Sequence, residues 1–234
     1  MTIEKQLKVG DFLYGFSFPK AQGGGEPGLV STGVIDAKIK IKRTRETVIK
    51  RRIFKKNKVE ITVEHEEVEA RWLPWVPGKV NYANQEGKDV LSGMFTGCWM
   101  VAYKEGGDMR VGHMATQTDA TDCKAAWRLH KAKVTGVKEF LPHKGMAGTF
   151  NLGLVTTTGA LYKIQLAGEK TIMVTNPWRT TEEWMADDKG KKKREVAEYM
   201  ANLDEVNVSD IYDFSGYSIV KIKGPLSAED FPKK

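Results

Sequence analysis

Only two cysteines occur in 234 residues, so no disulfide framework holds this chain, and a reducing environment suits it. Histidine is nearly as scarce, at four. His65, His130 and His143 fall in unrelated segments, at none of the Cys/His spacings a structural zinc site uses. No metal and no organic cofactor are expected. Apolar runs are short as well. None approaches the length that crosses a bilayer, and the opening MTIEKQLKVGDF lacks the apolar core of a secretory leader, so no membrane span and no classical signal peptide are expected. Two glycine- and charge-rich stretches, Lys20–Gly28 and Asp187–Lys193, lack the strand–turn–helix setting of a phosphate cradle and read as surface loops.

A hydrophobic content of 41 % is enough for a sizeable core, and no repeat or linker divides the chain, so residues 1–234 are expected to form a single domain. Short β-rich runs recur at Phe12–Phe18, Val34–Lys42, Val59–Val63, Phe150–Thr156, Ala160–Leu166, Lys170–Thr175 and Tyr217–Ile222, bounded by Gly, Pro, Asn or Asp. Helical periodicity predicts helices near Thr118–Lys133 and Lys191–Leu203, and Thr180-Thr181-Glu182-Glu183 offers a capped start for a shorter turn. The expected fold is therefore α+β, with a β-sandwich or mixed-sheet core and helices packed outside. In the first helix Cys123, Ala126, Trp127 and His130 share one face, which makes Cys123 a core residue and His130 a boundary one.

The other cysteine has a different setting. Trp99–Tyr103 and Met109–Ala115 flank Glu105-Gly106-Gly107-Asp108, a hairpin signal. If Tyr103 pairs with Asp108, Cys98 lies directly opposite His113; a two-residue loop makes them diagonal neighbours, and only an odd-length loop puts them on different faces. Opposed Cβ atoms are roughly 4.5–5.5 Å apart, close enough for a thiol and an imidazole to meet. An imidazole that takes the thiol proton and later protonates a leaving group is the Cys–His logic of acyl transfer. The small residues Thr96 and Gly97 allow close approach, so backbone N–H groups there are candidates for an oxyanion hole. Against this stands an ordinary alternative, a buried cysteine beside a hydrogen-bonded core histidine.

A motif adds to the spacing. Trp72-Leu73-Pro74-Trp75, then Pro77-Gly78, then Phe95-Thr96-Gly97-Cys98 with His113 beyond, resembles the family of glutamine deamidase toxins that contains Burkholderia lethal factor and the cytotoxic necrotizing factor catalytic domain. The family's Leu-Ser-Gly-Cys is altered here, with Leu91-Ser92-Gly93 displaced upstream, and the likeness does not extend to the first seventy residues or past residue 120. The resemblance implies a Cys98 nucleophile, a His113 base and Ser92 as a third residue in place of a threonine. It further implies hydrolysis of a glutamine amide on a host protein by a bacterial toxin or virulence effector, made in the bacterial cytoplasm and delivered to the host cytosol. A protease or transglutaminase would use the same dyad.

The charge pattern supports a non-enzyme alternative. The chain carries net +7, with much of the excess in KIKIKRTRETVIKRRIFKKNK between Lys38 and Lys58. This segment reads first as a solvated strand face protected by lysines, then as a docking surface for an acidic partner. Nucleic acid is disfavoured, because clustered aromatics and RNA-binding signatures are missing. Trp72 and Trp75 are expected to anchor the core or to wall a cleft at Cys98, and Trp99 to face the core on the other side of its strand.

Overall fold

The computed structural model describes residues 3–19, 28–49, 58–116, 121–142, 149–168 and 211–227. In chain order the elements are α1 (Ile3–Gln6), β1 (Phe12–Gly15), β2 (Ser17–Pro19), β3 (Gly28–Val30), β4 (Ile35–Ile49), β5 (Lys58–Leu73), β6 (Lys79–Asn84), β7 (Val90–Gly93), β8 (Trp99–Glu105) and β9 (Asp108–Met114). There follow α2 (Thr121–Lys131), β10 (Thr135–Phe140), β11 (Thr149–Val155), β12 (Leu161–Gly168), β13 (Ile211–Asp213) and β14 (Tyr217–Lys223). The expected helix at 191–203, the capped turn at 180–183, the strand at 170–175, His143, Trp178, Trp184 and the loops at 20–27 and 187–193 lie outside the described residues.

The α+β expectation is corrected: the protein is mostly β. Strands β1-β14-β12-β11-β7-β5-β4 close into a barrel, and β10-β8-β9-β6-β3 form a second sheet. More chain enters strands than the turn-bounded runs indicated, because β4 and β5 are long and matched in charge. Lysines and arginines of β4 stand beside glutamates of β5 along a register running from Ile35↔Trp72 to Ile49↔Lys58. Lys38 pairs with Glu67, Arg43 with Asp11 and Glu66, and Arg45 with Glu64. A two-stranded run of this length needs such cross-strand pairs, since opposite charges face to face stabilise it and like charges do the reverse.

Three layers result. The barrel interior is filled by Leu13, Phe16, Ile39, Ile41, Val68, Trp72, Leu152 and Leu166, among others. Trp72 is fully buried there, its ring 4.1 Å from Phe18 in a stack. The barrel's outer face at Leu73, Val90, Val155 and Leu161 packs on the inner face of the second sheet at Ala83, Met100, Ala102, Val111 and Phe140. The sheet's other face carries Val80, Val101, Tyr103 and Met114 beneath Cys123 and Trp127 of α2. Because both faces of β8 are covered, its stretch Trp99–Tyr103 reads as a continuous apolar run instead of an alternating one. Trp99 lies on the α2 side, as expected, but is only half-buried.

Candidate active site

The β8–β9 hairpin closes at Glu105↔Asp108 through Gly106 and Gly107, both at positive φ (61° and 94°), the geometry of a two-residue turn that only glycine adopts without strain. The register therefore places Met100, not Cys98, opposite His113. Cys98 is the diagonal neighbour, just before the start of β8, and shares with Met100 and Ala102 the core between sheet and barrel.

Ser92 reaches the same point from the other side. In β7 it pairs with Gly153 of β11, and Leu91 before it faces the barrel interior, so Ser92 faces outward to the second sheet. Its Oγ donates to the Leu73 carbonyl at 2.7 Å and lies 2.7 Å from Nδ1 of His113. Gly153 permits the approach. A Cβ there would collide with Met100 Sδ and would lie 3.0 Å from Pro142 Cγ and 3.3 Å from Phe95 Cε2. Phe95 stacks on the His113 ring, with centroids 4.2 Å apart and planes 15° from parallel.

One hydroxyl proton decides the tautomer. Ser92 spends its proton on Leu73, so its oxygen accepts from His113, and the imidazole proton sits on Nδ1. Nε2 is then a bare lone pair, and it is buried without a hydrogen-bond partner. His113 is 0 % exposed, and burial holds its pKa at about 3, so the ring is neutral. Cys98 is 7 % exposed. Burial pushes its thiol up, while the Thr116 amide, the Thr116 hydroxyl and the Trp75 indole N–H draw it back down. Thiol and imidazole are not hydrogen-bonded to each other in this resting arrangement.

Thr96 and Gly97 form an exposed bend immediately before Cys98. Nothing lies within 4 Å of where a Gly97 side chain would be, and the Gly97 carbonyl is held by the Thr116 hydroxyl at 2.6 Å. Among the described residues, neither the Thr96 nor the Gly97 amide has a backbone hydrogen-bond partner.

Two parts of this site escaped the sequence reading. Asn81, opposite His113 on β6, donates from Nδ2 to the carbonyls of Thr32 and Pro74, both at 2.9 Å, and accepts from Thr32 N–H at 3.0 Å. It fixes the Leu73-Pro74-Trp75 bend that carries Trp75 to Cys98. The two ends of Trp72–Trp75 thus separate, one into the barrel and one to the thiol. Thr116 is the second omission; it acts through its backbone N–H and its hydroxyl from just past β9, and no spacing signal marks such a residue. Among the described residues no three His, Cys, Asp or Glu side chains cluster as a metal site requires, and no helix is long and apolar enough to cross a membrane. Cys123 is fully buried, and burial pushes its thiol up to about 11.

Comparison with protein-family models, with curated proteins and with solved structures finds no match for this chain.

Proposed function

We propose that the chain is a cysteine amidohydrolase, a glutamine deamidase of the toxin or effector type, acting on a host protein with Cys98 as nucleophile, His113 as base and Ser92 as the residue that orients the base. The observation that carries the reading is the buried, unpartnered Nε2 of His113 on the sheet face that Cys98 shares, a lone pair once the Ser92 hydroxyl proton is assigned to the Leu73 carbonyl. A histidine kept only for packing would more commonly have both ring nitrogens satisfied, since an orphaned buried acceptor costs free energy.

In the reaction Nε2 takes the Sγ proton as sulfur attacks the carboxamide carbon. The amide N–H groups of Thr96 and Gly97 receive the oxyanion. An imidazolium with so depressed a pKa is a strong acid, so it readily protonates the departing nitrogen, which leaves as ammonia. Water, deprotonated by the same nitrogen, then cleaves the thioester to a glutamate side chain and restores the thiol. The low pKa makes thiol deprotonation the demanding step. Substrate enters at the exposed Thr96-Gly97 bend, and sulfur must move to meet Nε2.

A second reading follows from the burial. A raised thiol and a depressed imidazole also describe packed core groups, and the Ser92–His113 bond would then serve as a clamp between barrel and sheet. Ammonia release from host-cell protein extract separates the two. The deamidase reading requires release by the wild type and none by Cys98→Ser, with glutamine-to-glutamate conversion seen by mass spectrometry. Equal, background release by both proteins would sink it.

A further inference from the structure

β8, β9 and β6 run side by side where the Cys98 end of the sheet meets the barrel. Their register sets Trp99 opposite Met114 and Met114 opposite Val80, all three on the α2 face. One residue further along, the Ala115 amide donates to the Lys79 carbonyl at 3.0 Å, so Cys98, Ala115 and Lys79 make up the next row. Alternation turns that row to the opposite face, the one that carries Met100, His113 and Asn81. Lys79 therefore shares the barrel side of the sheet with the thiol and the imidazole. Two strand spacings separate it from Cys98, about 10 Å between Cα atoms, and the residue between them is an alanine.

Lys79 is only 6 % exposed, and among the described residues no other lysine or arginine is buried. Arg43, Arg71, Arg110 and Lys131 are less covered, and each has a carboxylate partner. The Lys79 side chain has neither an ion pair nor a hydrogen bond among the described residues. Lysine is almost never buried unpaired, because the ammonium loses its hydration and gains nothing in return. An ammonium so placed calls for an anion that the fold does not supply.

We propose that Lys79 selects the substrate, its ammonium receiving a carboxylate close in sequence to the glutamine that Cys98 attacks. At the reach of an extended chain, the spacing from Cys98 corresponds to an Asp or Glu within about three residues of that glutamine. The inference rests on the deamidase reading and deepens it. The target amide enters at the Thr96-Gly97 bend, and the acidic side chain pairs with Lys79 on the far side of Ala115. With little water around it, that pair is stronger than one on open surface. A neutral side chain there would leave the ammonium unpaired, and a basic one would be repelled.

Two chloroacetyl probes of equal length test this on the full chain: chloroacetyl-β-alanine, which carries a carboxylate, and its uncharged carboxamide. Cys98 alkylation is read by peptide mass spectrometry as the ratio of the two rates within one protein, so a general change in thiol reactivity cancels. The wild type is expected to favour the carboxylate about fivefold, the size of one modest ion pair, and the preference should fade as salt rises. Lys79→Met is expected to lose it and Lys79→Arg to keep it, each checked for folding by circular dichroism. A wild-type ratio at or below one, or no labelling of Cys98 by either probe, overturns the proposal, as does a ratio that survives Lys79→Met. A lysine that only threads its stem past apolar groups to water gives a ratio of one. Carboxylate preference without ammonia release from host-cell protein overturns the deamidase reading alone. Ammonia release at a wild-type ratio of one overturns this inference alone.

Discussion

Ser92 Oγ and His113 Nδ1 lie 2.7 Å apart, joining a barrel strand to the sheet packed against it. This contact is at once a buried polar tie between the two layers and the determinant of which His113 nitrogen is free. Removing it should therefore be felt in both stability and reactivity. Ser92→Ala leaves the Leu73 carbonyl and the His113 N–H unpaired in a buried site, and a cost of about 1–3 kcal/mol is expected in urea unfolding. Cys98 alkylation in the same variant should slow, because the imidazole is no longer fixed in its tautomer.

Acid should destabilise the fold through His113. Its folded pKa, about 3, is depressed below the ordinary 6.5. Between those values the unfolded chain binds a proton that the folded one refuses. Stability is thus complete above the unfolded pKa and falls as pH drops through that window, by about 1.4 kcal/mol per pH unit. Urea unfolding across that range should show this slope, and His113→Gln, which does not titrate, should show a shallower one.

Gly153→Ala tests the close approach of barrel and sheet. The added methyl meets Met100, which can shift, and Pro142 at 3.0 Å, which is rigid. Overpacking of this kind costs roughly 1–3 kcal/mol. Thermal unfolding should register the loss, with an accompanying change in Cys98 labelling as β8 is pushed away from Ser92.

Asp11 anchors β4 just before the start of β1. It is 1 % exposed and accepts from Lys8 N–H at 2.8 Å and from Arg43 Nε and Nη2 at 2.6 and 2.8 Å. Asp11→Ala leaves the Arg43 guanidinium, itself largely buried, with only Glu66 and the Gln6 carbonyl. Breaking a buried pair from one side is expected to cost about 3–5 kcal/mol, read by chemical denaturation.

Local signals in the sequence were good guides to strands and poor guides to architecture. The Gly106-Gly107 turn signal located the hairpin and kept Cys98 and His113 on one face, although the two-residue loop made them diagonal. The i, i+3, i+4 stripe at Cys123 and Trp127 identified the buried face of α2. Barrel closure was not legible, because it depends on β14 returning to β1 and on a parallel contact between β5 and β7, pairings with no local signature. Ser92 entered only through a resemblance, and the structure sets it beside His113 by long-range packing. The basic run from Lys38 reads in sequence as a solvated strand face first and a docking surface for an acidic partner second. Much of it is neutralised by β5, whose glutamates are distant in sequence and adjacent in register.

The most direct test of the central claim needs no substrate: the rate at which chloroacetamide alkylates Cys98 across pH, read by peptide mass spectrometry in wild type and His113→Ala, with Cys123 as internal reference. If His113 Nε2 serves as base, Cys98 reacts well ahead of Cys123 at neutral pH and loses about tenfold or more in rate without the imidazole. If Cys98 reacts no faster than Cys123, or is indifferent to His113→Ala, the pair is a clamp between two sheets and the amidohydrolase reading is wrong.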